Sequence, residues 1–219
     1  MATLAIEAST YTGSVAVIQG DIVVAERETA MRGEREERLM PAVADALREA
    51  RVEPRALERI VCGAGPGSFT SLRIAGAIAK GMALAARAPV YPVSSPLLVV
   101  AGARPLLAPG RYVVAMDAMR GEVFAAVFSV TDSAIVEEGP VAIVPRPELA
   151  SFARIHAASV VGPNETPGRE PHARGAVTLG RLVPWPAAAN LASWEPDYGR
   201  LAEAQVRWET AHGRALTPR

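Results

Sequence analysis

The chain has 219 residues, half of them hydrophobic, which is enough to build a substantial core in one domain or two small ones. Its 23 acidic and 23 basic side chains cancel, so no general field draws in nucleic acid, and the lone cysteine, Cys62, excludes an internal disulfide and fits a reducing compartment. The longest uncharged run, Ala88 to Ala103, is too short to cross a bilayer and contains three prolines, so a cytoplasmic protein with no membrane partner is expected.

In chain order, Leu4 to Ala8 predicts a first strand. Ser14 to Gln19 and Ile22 to Glu28 predict a hairpin about Gly20-Asp21. A helix is expected from Glu34 to Arg51, with Leu39, Met40, Val43, Ala46, Leu47 and Ala50 on one stripe and a kink at Pro41. The apolar run Ile60 to Cys62 then enters the turn Gly63-Ala-Gly-Pro-Gly67. Leu72, Ile74, Ala75, Ile78, Ala79, Met82 and Ala85 follow at helical spacing, with Ser68 and Thr70 placed to cap the first turn. This Ser68–Ala86 helix holds Gly76 and Gly81 in its interior, each costing roughly 1 kcal/mol against Ala. Such a helix gains close approach of another backbone, either its own or a partner's. A short strand near Val90 and a helix from Ser95 to Leu107 complete the first half, and Ala108-Pro-Gly110 reads as a boundary.

The second half restarts in the same order. Tyr112 to Asp117 is a strand, Glu122 to Val130 and Ala134 to Glu138 a pair, Arg146 to Ala153 a helix and Ser159 to Gly162 a strand. Leu4-Ala-Ile-Glu-Ala-Ser and Val114-Ala-Met-Asp-Ala-Met each close an apolar strand with an acid, and a glycine and another strand follow. The pattern is an α/β duplication of a β-β-β-α-β-α unit of ribonuclease-H-like type, divided at 1–108 and 109–219. The second unit is abbreviated, and a last helix over Leu201 to His212 is expected to pack back on the body.

The blocks Gly65-Pro-Gly-Ser-Phe-Thr-x-x-Arg73 and Met116-Asp-Ala-Met-Arg-Gly-Glu-Val-Phe124 resemble the signatures of the TsaB family. Leu4 to Thr10, Glu37-Arg-Leu-Met-Pro41 and Glu195-Pro-Asp-Tyr-Gly-Arg200 add to the likeness in the same order. Glu7 stands where that family usually has Asp, Arg35 near the place of a His, and Ser71 where a third Gly is usual. The resemblance implies the fold of the actin, Hsp70 and sugar-kinase superfamily. It also implies a non-catalytic subunit of the machinery that attaches threonylcarbamoyl to the tRNA adenosine beside the anticodon. The implied partners are a TsaD-like catalytic subunit and a TsaE-like ATPase, with a homodimer when the chain is alone and tRNA reached only through the complex.

Three sites were weighed from the residues. His156, His172 and His212 lie far apart and Cys62 has no companion, so no metal site is expected. Glu7, Ser9, Gly13 and Asp117 mark a degenerate nucleotide cleft, with room for weak ATP or ADP and Mg2+ but no cofactor expected; the alternative is a small ATPase or kinase using Glu7 and Asp117. The resemblance implies that the two helices of the first half form the partner interface. The expected contacts are Leu39, Met40, Val43, Leu47, Leu72, Arg73, Ala75, Gly76, Ala79, Lys80, Met82 and Ala83.

Overall fold

A computed structural model describes residues 1–33, 36–200 and 211–213. Among the described residues ten strands form two five-stranded sheets. The first sheet contains β1 (Ala2–Glu7), β2 (Thr12–Gln19), β3 (Ile22–Ala30), β4 (Leu57–Gly63) and β5 (Val90–Val93), in the order β3-β2-β1-β4-β5. β1 is central, antiparallel to β2 and parallel to β4, so both its edges are paired, and with a core on each face all six of its residues are buried. Its pleat divides them: Leu4 and Ile6 face one core while Ala5 faces another.

Helices α1 (Leu39–Ala50) and α2 (Phe69–Ala86) cover the Leu4/Ile6 side. α1 starts later than the sequence predicts. Glu37, not a residue further back, accepts the N–H groups of Leu39 and Met40, at 3.0 Å for Met40. Pro41 therefore lies in the first turn, where its missing N–H breaks no helical bond, and it is a start residue rather than a kink. α2 also lacks the expected cap: the Ser68 hydroxyl does not bond the helix start but pairs with Ser71 Oγ at 3.0 Å.

α3 (Ser95–Ala101) is shorter than the expected helix and ends at Gly102. With a 3-10 turn over Ala173–Thr178, which carries no helical spacing in sequence, it fills the space between the sheets.

The second sheet repeats the plan in reduced form. β6 (Gly110–Asp117) pairs antiparallel with β7 (Glu122–Val130) and parallel with β10 (Ser159–Val161). The far edge of β7 is shared by β8 (Ile135–Glu137) and β9 (Ala142–Pro145), so one strand position of the unit is split in two. The first corresponds to the strand expected over Ala134–Glu138; the second is a strand that no alternation in the sequence marks. α4 (Leu149–Ile155) covers the outer face. Among the described residues no second α-helix and no further strand of this sheet precede residue 200 after β10, in keeping with the abbreviation that the sequence predicts.

Val114, Met116, Phe124 and Phe128 of this sheet share one buried cluster with Ala5, Ala16 and Val61 of the first. The layers therefore run α1/α2, sheet, α3, sheet, α4. Among the described residues no helix is long and apolar enough to cross a membrane.

The segment after the second sheet returns across the first unit. Ala189 N–H donates to Val90 O at 2.8 Å on the β5 edge, and Asp197 N–H donates to Ala64 O at 2.7 Å. The expected helix over Leu201–His212 lies outside the described residues, except that Ala211 and His212 are helical.

Candidate functional site

Two surfaces bear on function: the outer face of the α1–α2 pair and the cleft between the sheets. On α2 the most periodic apolar positions face the chain's own sheet. Leu72, Ala75, Ala79, Met82 and Ala83 are buried there, as are Leu39, Val43 and Leu47 of α1. These expected interface residues are core residues in this fold. The reason is physical: the strongest apolar stripe of a helix is the one its own sheet buries first.

Gly76 is corrected in the same way. A Cβ there would lie 3.3 Å from Pro196 Cγ and 3.7 Å from Trp194, so the close approach it permits is that of the chain's own returning segment. Lys80, half-buried, sets its ammonium 5.6 Å from the Trp194 ring centroid. Gly65, with φ of 91°, turns the loop beneath Asp197, whose carbonyl a side chain would overlap. The rings of Phe69 and Tyr198 meet at 4.5 Å, and Arg200 reaches Glu122 in β7. The Glu195–Arg200 motif is thus a strap from α2 to the second sheet.

What α2 leaves outward is a different stripe. Ile74 and Ile78 are half-buried, while Ala77, Gly81, Leu84 and Ala85 are exposed, Leu84 to 70%. A Cβ at Gly81 would meet nothing within 4 Å. Met40, expected at the interface, is 41% exposed, and Arg73 is exposed as well. The outward face is apolar and smooth along the middle and end of the helix. Sequence reasoning missed Leu84 as a surface residue and counted Ile74 and Ile78, which the fold leaves half-buried, in one stripe with Leu72, Ala79 and Met82.

The cleft has a volume of about 760 Å3. Ser9 and Asp117 line it, together with the α2 start, Tyr11, Met116, Phe124, Glu170 and Arg200. Glu7 and Gly13 are not among the lining residues. Gly13 faces Met31 and Leu39, where a Cβ would crowd the methionine sulfur.

Glu7 is completely buried behind the wall. Its Oε1 accepts Ser9 N–H at 2.5 Å, and its Oε2 accepts the Ser95 hydroxyl at 2.8 Å. Ser95 Oγ in turn accepts Gly65 N–H at 3.0 Å, so the acid braces the glycine turn. A side chain at Gly63 would overlap Glu7 Oε2. Burial raises the Glu7 carboxyl above its usual range, against the donors Ser9 and Ser95, which favour the ionised form.

Asp117 is exposed, and its Oδ1 accepts Met119 N–H at 2.8 Å. The fold does not bring Glu7 and Asp117 together as a pair facing one ligand, as the kinase reading requires. Burial also raises the Cys62 thiol, which keeps it unreactive. Among the described residues no three His, Cys, Asp or Glu side chains gather to hold a metal.

His172, although 3.1 Å from Glu28, is neutral. Burial, then Arg174 and Arg104, push it down to about 3. In that form Nδ1 accepts Arg174 N–H at 3.0 Å while Nε2–H donates to Glu28. It ties the Ala173–Thr178 turn to β3 and plays no part in the cleft.

Two sheets with parallel β1/β4 and β6/β10 pairs, joined across a cleft, define a protein of the actin, Hsp70 and sugar-kinase class. The comparisons narrow this. Residues 28–162 match the family described as TsaD, tRNA N6-adenosine threonylcarbamoyltransferase. The chain is 30% identical to the tRNA threonylcarbamoyladenosine biosynthesis protein TsaB of Bacillus subtilis, over 95% of this chain and 98% of that one. It is 34% identical to the Escherichia coli protein of the same name, over 68% of this chain and 64% of that one. A Pseudomonas aeruginosa crystal structure with similarity to the peptidase YeaZ covers 91% of this chain and 99% of its own at a TM-score of 0.72; at 24% identity it shows the fold alone. The chain belongs to the TsaB family.

Proposed function

We propose that this protein acts in the biosynthesis of threonylcarbamoyladenosine in tRNA as a non-catalytic subunit. It docks a TsaD-like catalytic subunit through the outward face of α2 and the adjoining start of α1. Family membership supports the pathway. One observation carries the docking surface: Ala77, Gly81 and Leu84 stand exposed in a row on α2, flanked by Ile74 and Ile78, which are half-buried at the edge of the chain's own core. An uncovered apolar helix face of this length is an association surface. Two more partners belong to the same proposal: a second copy of the chain covers the stripe when the catalytic subunit is absent, and the TsaE-like ATPase joins the assembled pair, with tRNA engaged only through the complex.

The site geometry supports the non-catalytic part of this reading. The buried Glu7 is committed to Ser9 and Ser95, and Asp117 stands without it at the cleft. Two acids facing one phosphate, which the kinase mechanism needs, are not assembled. The test is the mass in solution by light scattering, for the chain alone and mixed with its TsaD-like subunit. Conversion of a homodimer into a heterodimer is the expected result. A chain whose mass ignores the catalytic subunit overturns the reading.

A further inference from the structure

We propose that a second pocket, at the opposite end of β1 from the cleft, binds a small monocarboxylate that also carries a hydrogen-bond donor. The pocket has a volume of about 240 Å3. Pockets for drug-sized molecules run from roughly 300 to 1,000 Å3, so its occupant is small.

Sheet register builds the floor. Thr3 of β1 pairs with Ile18 of β2 on one side and with Arg59 of β4 on the other, so the three lie in one row across the sheet. All three border the pocket. Ala5, Ala16 and Val61, two residues away along each strand, lie in the buried cluster between the sheets, which fixes the face. The wall is the end of the Ala173–Thr178 turn and the loop after it. Thr178 O accepts Leu182 N–H at 2.9 Å, and Gly180 N–H donates to Val183 O at 2.6 Å. Gly180, with φ of 82°, leaves room for the Trp185 indole, which a Cβ would meet at 2.6 Å. That indole packs on Tyr91, with ring centroids 4.9 Å apart, and the Arg59 guanidinium stands 4.4 Å from its centroid. At the rim, Gly20 N–H donates to Met1 O at 3.1 Å and ties the hairpin turn to the chain start. Backbone bonds and rings set this shape, and they leave the polar side chains of the pocket free.

Those side chains point to a ligand. Thr3 is only 4% exposed, yet its hydroxyl makes no hydrogen bond among the described residues. A buried hydroxyl is costly until something pairs with it. The side chains of Arg59, Arg181 and Asp21 border the same pocket and form neither a hydrogen bond nor an ion pair among the described residues. Arg59 is half-buried, and a guanidinium placed against an indole keeps its fork of donors for a planar carboxylate. The Met1 ammonium is answered by Glu58 at 3.6 Å, which leaves two guanidinium groups against one carboxylate. That excess of one positive charge suits a monoanion better than a dianion. Asp21 can only accept, so the molecule that satisfies it brings a donor of its own. Ile18, Ala176 and Leu179 supply apolar contact for a short carbon body.

The experiment titrates the full-length chain, labelled with nitrogen-15, with acetate, with glycolate and with inorganic phosphate, each against sodium chloride at matched ionic strength. Saturable movement of the Trp185 indole signal and of the Thr3, Gly20 and Gly180 amide signals is expected with both carboxylates and not with chloride. Glycolate, which adds a hydroxyl, should bind more tightly than acetate, and Asp21→Ala should remove that preference. Thr3→Val should weaken glycolate binding about tenfold while costing the free chain no stability, because its hydroxyl has no bond to lose. Arg59→Gln should weaken binding more than tenfold in a chain whose other signals stay in place. No saturable movement with either carboxylate, tighter binding of phosphate than of glycolate, or binding that Thr3→Val and Arg59→Gln both leave intact overturns the proposal. The readout involves no second subunit, so its failure and that of the docking proposal are separate results.

Discussion

The two sheets begin alike and treat the acid at the end of their first strand in opposite ways. In the first unit, β4 runs into Gly63, the chain returns through α2 and β5, and α3 brings Ser95 over the strand end. Glu7 is sealed there between Ser9 and Ser95. In the second unit nothing equivalent to α2, β5 and α3 follows β10 among the described residues, and Asp117 stays in solvent on the cleft wall. A duplicated unit that loses its last three elements loses the cover over its acid. The comparison teaches that matching strand-end acids in sequence need not share a site. One acid became a brace for a turn, while the other kept its place at the cleft.

The comparison breaks most visibly at Gly63. Gly63→Ala puts a methyl group onto the buried carboxylate and should cost about 3 kcal/mol in denaturant unfolding. Combining it with Glu7→Ala should cost less than the sum of the two single changes, because the obstruction is gone. Next in size, Glu7→Ala strands the Ser9 N–H and the Ser95 hydroxyl and should cost about 2 kcal/mol, whereas Asp117→Ala should stay within about 0.5 kcal/mol. Equal costs would mean the two acids are not differently housed.

The two helix glycines sharpen the contrast between covered and uncovered faces. Gly81→Ala should stabilise the free chain by up to about 1 kcal/mol, while Gly76→Ala should gain nothing because Pro196 stands 3.3 Å away. A gain at both positions would show that the strap does not press on α2.

The smallest effects are in pH. The folded pKa of Glu7 is raised above the usual carboxylate value of 4.5, so its contribution is full below that value and is lost as pH rises through the folded pKa; Glu7→Gln should remove this decline. His172 has the opposite sign. Its folded pKa, about 3, lies below 6.5, so its contribution is full above 6.5 and is lost as pH falls towards 3; His172→Gln should flatten that acid slope. Unfolding free energies measured between pH 4 and pH 8, within roughly the range set by these pKa values, separate the two.

The duplication was legible because apolar strands closed by an acid and followed by glycine are a local pattern, present at Leu4–Glu7 and again at Val114–Asp117. The glycine turn and the α2 boundaries were legible for the same reason. Most of the residues expected at the partner face lie against the sheet, since periodicity identifies the stripe that is most apolar, and in a folded chain the sheet claims that stripe. Leu84 lies off it, and Ile74 and Ile78, counted in it, prove to be half-buried at its edge only when the sheet's position is known. Gly76 carried no local mark of whose backbone it admits; the answer is Pro196, 120 residues away in sequence. Nor could spacing show that Glu7 points at α3 rather than at the cleft, because that depends on the pairing of β1 with β4 and on Ser95.

The most direct measurement is the affinity of the TsaD-like subunit for two variants, Leu84→Glu and Asp117→Ala, against the unaltered chain. A charge on the outward face of α2 should weaken association at least a hundredfold, by roughly 3 kcal/mol or more, with unfolding free energy unchanged. Asp117→Ala should leave association as it was. Normal binding by Leu84→Glu, with loss in Asp117→Ala, would place the partner at the cleft and contradict the account.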